Sequence, residues 1–312
     1  MNRWIRAGLS MALIFSLMLS MSVLASAAFA PDPVAKAETE RLYLETGHKF
    51  IQGVYQDRKT GKSLPFNLFI PKESGTKACP LMLYMGDGST VGKEVTYPLK
   101  ESIGGTIWAT AAEQKKHPCY VLVPEYPETV LDDNHGRMMT DWIDVTKRML
   151  DSISCQYNVD RTRLYSTGQS MGCMISMVLA ATYPDLLAAE LFIDGQWYID
   201  ELSGLTSQRF FYVVAENDAK ASQGQREVKQ MLTNRNVPYS SRTGVNAKAG
   251  PKERNHTIAE MVLECNRINF VTFAKGSVLP ATVSAGTDEH MYSFYHGYNQ
   301  EVIRDWIFLQ HR

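Results

Sequence analysis

A chain of 312 residues, 45% hydrophobic and 21% charged, has enough apolar material for one substantial core, which excludes a disordered or collagen-like polymer. Its 32 lysines and arginines against 33 acids leave a net charge of −1, so no basic excess exists to grip a nucleic-acid backbone. Five cysteines are too few for a disulfide-dense scaffold.

The first residues differ from everything after them. Arg3 and Arg6 precede an uncharged run from Ala7 to Leu24, and Ala25-Ser26-Ala27 follows as an A-x-A processing site. That pattern predicts a secretory signal peptide over residues 1–27, a leader over 28–46, and a catalytic domain over 47–312. No later segment is apolar enough to span a bilayer, so the expected location is secreted or periplasmic.

Along the domain, short apolar runs predict strands at Phe50–Tyr55, Leu64–Ile70, Leu81–Tyr84, Tyr120–Val123, Arg163–Ser166, Leu187–Ile193, Phe210–Val214 and Phe270–Phe273. Helical stripes fall between them: Met138 to Ile153, Met174 to Ala181, Val228 to Leu232, and a last helix around Val302–Ile307 with Asn299 as its N-cap. Ser240–Asn255 is polar and Gly-containing, and reads as a surface insertion. Strands alternating with helices predict an α/β fold with a mostly parallel sheet.

Gly168-Gln169-Ser170-Met171-Gly172 is a G-x-S-x-G sequence between a predicted strand and a predicted helix. A sharp turn there lifts a serine hydroxyl above the sheet edge, beside the unpaired N–H groups of the helix start. The stretch Asp160 to Gly172 resembles the nucleophile region of α/β-hydrolases. More narrowly it is similar to secreted bacterial esterases of the polyhydroxybutyrate-depolymerase and feruloyl-esterase type, and to relatives classed as peptidases. Leu64 to Pro71, Tyr183-Pro184-Asp185 and the helix around Trp306 extend the likeness over about 47–312. It implies an α/β-hydrolase fold with an eight-stranded sheet. Two positions depart from the group: Cys173, where relatives usually carry Gly, and Met85, where many hydrolases carry His.

A serine hydroxyl is a poor nucleophile until a histidine takes its proton and a carboxylate orients that histidine. The resemblance implies Asp218 as the acid, after the strand ending at Val214, with Glu216 and Asp194 as rivals. It favours His290 over His296 as the base. The N–H of Met171 and, by position, the N–H of Asp87 are the expected oxyanion donors. Asp132, Asp133 and His135 read as a solvated loop, and the chemistry requires no metal and no cofactor.

These residues predict a serine hydrolase cleaving carboxylic esters, small or polymeric, through an acyl-enzyme. A serine peptidase is the near alternative, and a non-catalytic binding protein on the same fold the distant one. Cys79 and Cys119 each precede a short strand. In an α/β-hydrolase sheet those strands are parallel neighbours, which predicts a Cys79–Cys119 disulfide.

Overall fold

In the computed structural model, which describes residues 31–312, nine strands pair into one sheet. They are β1 (Phe50–Gln56), β2 (Ser63–Phe69), β3 (Cys79–Met85), β4 (Tyr120–Pro124), β7 (Val159–Gln169), β8 (Ala189–Ile193), β9 (Phe210–Ala215), β10 (Ser240–Val245) and β11 (Ile268–Phe273). A separate hairpin pairs β5 (Leu131–Asp132) with β6 (Met138–Met139). The order across the large sheet is β1-β2-β4-β3-β7-β8-β9-β11-β10. β1, β2 and β4 pair antiparallel, and every pairing from β4 through β3 to β10 is parallel.

Side-chain alternation along each strand feeds two cores. Leu81, Leu83 and Met85 face one layer, Met82 and Tyr84 the other. The first layer is covered by α3 (Trp142–Gln156), α4 (Met171–Thr182) and α5 (Ala219–Asn234). The second is covered by α1 (Pro33–Thr46), α6 (Pro251–Val262), α7 (His290–Tyr298) and α8 (Glu301–Phe308). The short α2 (Ala111–Lys116) leads into β4. With both faces covered, the central strands are buried throughout, which is why they read as apolar runs, interrupted only in β8 by the buried Glu190.

Several elements differ from the sequence reading. Residues 33–46, expected as a leader, form α1: Asp32 caps it by accepting the Val34 N–H at 2.8 Å, and Leu42 and Thr46 are buried. The expected cleavage after Ala27 lies outside the described residues. Ser240–Asn255 supplies an edge strand, β10, and the start of α6, so the sheet has nine strands rather than eight. An edge strand is half solvated and need not look apolar. Met138 and Met139 belong to the hairpin, and α3 starts at Trp142. Asn299 ends α7, and Gln300 is the residue that precedes α8.

The predicted disulfide is absent, and both thiols are free. The strands are neighbours, but Leu81 pairs with Tyr120 and Met82 with Val121. That register sets Cys119 opposite Pro80, one position away from Cys79. A one-residue offset in a strand points the two side chains to opposite faces. Cys79 accordingly lies in the first core layer and Cys119 in the second.

Candidate active site

The C-terminal ends of β3, β7, β8 and β9, with the loop after β11, carry the candidate residues. β7 ends at Gln169 and α4 begins at Met171, so Ser170 alone makes the turn, at φ 51° and ψ −120°. This is a strained conformation for a residue with a side chain, costing about 1–3 kcal/mol. Its N–H donates to Ile193 O at 3.1 Å, and its carbonyl accepts from Met174 N at 3.0 Å, which fixes both ends of the turn. The flanking glycines are required by contact. A Cβ on Gly168 would stand 2.3 Å from the backbone of Gly172, and one on Gly172 would stand 2.0 Å from Met85 O.

Ser170 Oγ lies 2.8 Å from His290 Nε2, and His290 Nδ1 lies 2.5 Å from Asp218 Oδ2. Asp218 caps α5 with its other oxygen, which accepts from Ala221 N at 3.0 Å. His290 opens α7, where its N–H donates to Asp288 Oδ1 at 2.9 Å and its ring edge meets Phe294. The serine and imidazole keep partial access to solvent, while Asp218 is buried.

The electrostatics divide the labour between two neighbouring carboxyls. Burial raises Asp194 well above the usual carboxylate range, and the charge of Asp218 raises it further. Burial also opposes the charge on Asp218, but the hydrogen bond and charge of His290 outweigh it, so Asp218 sits below its ordinary value. For His290, burial pulls downward and is overcome by the hydrogen bond and charge of Asp218, with help from Asp194 and Asp288, leaving it above 6.5. Of the two carboxyls, Asp218 is the one whose negative charge the imidazole favours.

The rivals make other hydrogen bonds. Asp194, fully buried at φ 38°, turns Oδ1 to Ala215 N at 2.9 Å. Glu216 is exposed and accepts from Lys275 N at 3.1 Å. His296 is buried on α7 with Nε2 unpartnered, and burial lowers it to about 4. Met171 is the first residue of α4, so its N–H has no carbonyl behind it within the helix. Asp87 follows β3, whose Met85 pairs with Gly168, and this register sets the Gly86-Asp87-Gly88 turn beside the serine turn. The Asp87 side chain accepts from Ser89 N at 2.7 Å and holds that turn closed.

The two departures from the hydrolase pattern are packing choices. Met85 is buried in the first core layer. Cys173 is buried against Gly195, where any Cβ would stand 2.6 Å from the cysteine Cβ. Sequence reasoning missed Glu289. It is fully buried directly before His290 and accepts from Asn217 N at 3.2 Å and from Gly276 N. It thereby ties the loops after β9 and β11 to the start of α7; an acid before a histidine carries no pattern that would reveal this. Asp133 turns to Lys220 and Gln196, so it does not converge with Asp132 and His135. Glu113 of α2, His117 just after it and Asp305 of α8 lie together, where Arg304 already pairs with Glu113 at 2.8 Å.

The sheet order, the serine turn and the chain order Ser170, Asp218, His290 define an α/β-hydrolase fold, and the comparisons agree. A solved thermostable esterase superposes with a TM-score of 0.66 at 22% identity, over 85% of this chain and 64% of that one. A ferulic acid esterase superposes with a TM-score of 0.53 at 12% identity, over 84% of this chain and 98% of that one. In sequence, poly(3-hydroxyalkanoate) depolymerase C of Paucimonas lemoignei is 31% identical over 94 residues, 26% of this chain and 22% of that protein. The matched stretch thus spans under a quarter of that relative's length. No protein-family model matches the chain.

Proposed function

We propose that this protein is a serine hydrolase that cleaves carboxylic esters through an acyl-enzyme. The observation that carries the reading is the unbroken relay from Asp218 Oδ2 through His290 to Ser170 Oγ, with both links at hydrogen-bond distance. Ser170 Oγ attacks the ester carbonyl carbon as its proton passes to His290 Nε2. The carbonyl oxygen becomes an oxyanion held by the N–H groups of Met171 and Asp87. The C–O bond to the alcohol breaks, and His290 returns the proton to the departing alkoxide. Water then repeats the sequence on the acyl-serine: His290 takes its proton, and Ser170 leaves with it. Asp218 keeps the imidazole in the tautomer that presents Nε2 to the serine and stabilises the imidazolium. Because Ser170 and His290 retain solvent access, a substrate can reach them without a prior opening of the core.

Esterases among the structural neighbours and a poly(3-hydroxyalkanoate) depolymerase among the sequence relatives support the ester reading. The basic, apolar and small-residue pattern of residues 1–27 supports export. The test is fluorophosphonate labelling followed by turnover of matched aryl ester and anilide substrates. Labelling at Ser170 with faster ester than amide cleavage is expected. Preferred amide cleavage selects the peptidase alternative, and absence of both labelling and turnover selects a binding protein.

A further inference from the structure

The residue before the nucleophile, Gln169, is fully buried, a place where an apolar side chain would fill the space at least cost. Its amide instead uses every donor and its acceptor. Nε2 donates to Asp87 Oδ2 at 3.2 Å and to Glu101 Oε1, while Oε1 accepts from Ser102 Oγ at 2.8 Å. These partners come from separate segments. Asp87 belongs to the turn that carries the proposed second oxyanion donor, and Glu101 and Ser102 close the single helical turn Pro98–Glu101. Tyr84, one residue from the end of β3, completes the set: its hydroxyl donates to Glu101 Oε2 at 3.1 Å and lies 3.0 Å from Ser102 Oγ. Ser102 Oγ also accepts from Gly104 N at 3.1 Å, which anchors the far end to the backbone.

We propose that Gln169 and Glu101 are positioning residues of the oxyanion hole: the Gln169 amide straps the Asp87 turn to the strand that presents Ser170, and Glu101 anchors the strap. The inference rests on the serine-hydrolase reading and adds to it a device that holds the two oxyanion donors in register. The backbone pairing of β3 with β7 stops at Met85 and Gly168. Beyond that point the Gln169 side chain carries the connection, over the residues where donor placement matters most. Burial and the adjacent, hydrogen-bonded Asp87 push the Glu101 carboxyl well above its usual range. Glu101→Gln keeps a side-chain oxygen in place to accept from Gln169 Nε2.

The experiment compares Gln169→Leu, Glu101→Ala and Glu101→Gln with the wild-type chain, each first shown to be folded by circular dichroism and thermal melting. Three quantities are read: kcat and KM on an aryl ester, the affinity of phenylboronic acid, which forms a tetrahedral adduct on the serine, and backbone amide exchange over residues 87–91. For Gln169→Leu, a fall in kcat of roughly 10- to 100-fold is expected with KM within about twofold. Boronate affinity should fall by a similar factor, and exchange should quicken over 87–91 alone. Glu101→Ala should behave likewise, and Glu101→Gln should recover most of the loss. Wild-type kcat, boronate affinity and exchange in a folded Gln169→Leu protein overturn the proposal. So does faster exchange spread over the whole sheet, which marks Gln169 as an ordinary core residue. If the wild type neither turns over ester nor accepts fluorophosphonate, the serine-hydrolase reading fails instead. The strap between the Asp87 turn and β7 is then decided by the exchange measurement alone.

Discussion

Replacing Asp218 by Asn separates the two tasks that one carboxylate performs. Its Oδ1 caps α5 through the Ala221 N–H, and its Oδ2 holds His290 Nδ1. Asn is as good an N-cap as Asp, so the unfolding free energy in urea should stay within about 1 kcal/mol of wild type, whereas Asp218→Ala also loses the cap and about 1 kcal/mol more. Catalysis should fall far more, by roughly 10³- to 10⁴-fold in kcat, because an amide does not enforce the tautomer or stabilise the imidazolium. The pH profiles carry the second half of the argument. His290 must be neutral to accept the serine proton, and its value lies above 6.5, so kcat/KM of the wild type should rise with pH through a midpoint above 6.5. Without the charge of Asp218 that midpoint should move to lower pH. Stability follows the same linkage. The raised histidine contributes stability below 6.5 that is lost as pH climbs through its folded value. The depressed Asp218 contributes stability above 3.8 that is lost as pH falls through its folded value. The variant's stability should therefore depend less on pH on both flanks. More than about a tenth of wild-type kcat, or an acid limb that stays in place, would refute the orienting role.

Ser170→Ala should abolish fluorophosphonate labelling and lower kcat by roughly 10⁵- to 10⁶-fold, and the Ser170→Ala/His290→Ala double variant should be no worse, because the pair acts as one unit. His296→Ala should leave kcat near wild type, since its ring is buried apart from the serine; a dead His296 variant would reassign the base. Gly172→Ala should cost about 3 kcal/mol or more in urea unfolding, because the new Cβ meets the backbone of Met85 and Gly86, which has no rotamer to yield. A loss under about 0.5 kcal/mol would show that the turn has room to spare. Denaturation without reductant should leave both Cys79 and Cys119 open to alkylation. A Cys79–Cys119 peptide recovered by mass spectrometry would contradict the opposite-face register of β3 and β4.

The sequence by itself determined the parts whose physics is local. Central strands buried on both faces are largely apolar, so β3, β4, β8 and β9 could be read directly. The serine turn could also be read, because backbone contacts at Gly168 and Gly172 exclude any side chain and leave a fixed pattern around Ser170. What long-range packing decides was less legible. Edge strand β10 is half solvated and lacks an apolar signature. Helix α1 has almost no amphipathic stripe and docks through Leu42 and Thr46. The choice among Asp194, Glu216 and Asp218 could not come from residue type, since all three are acids near strand ends. It is made by side-chain direction, which turns only Asp218 toward the imidazole. The cysteine pair failed for a related reason. Strand adjacency follows from the fold, but facing depends on a register of a single residue, and that register is fixed only when the whole sheet pairs.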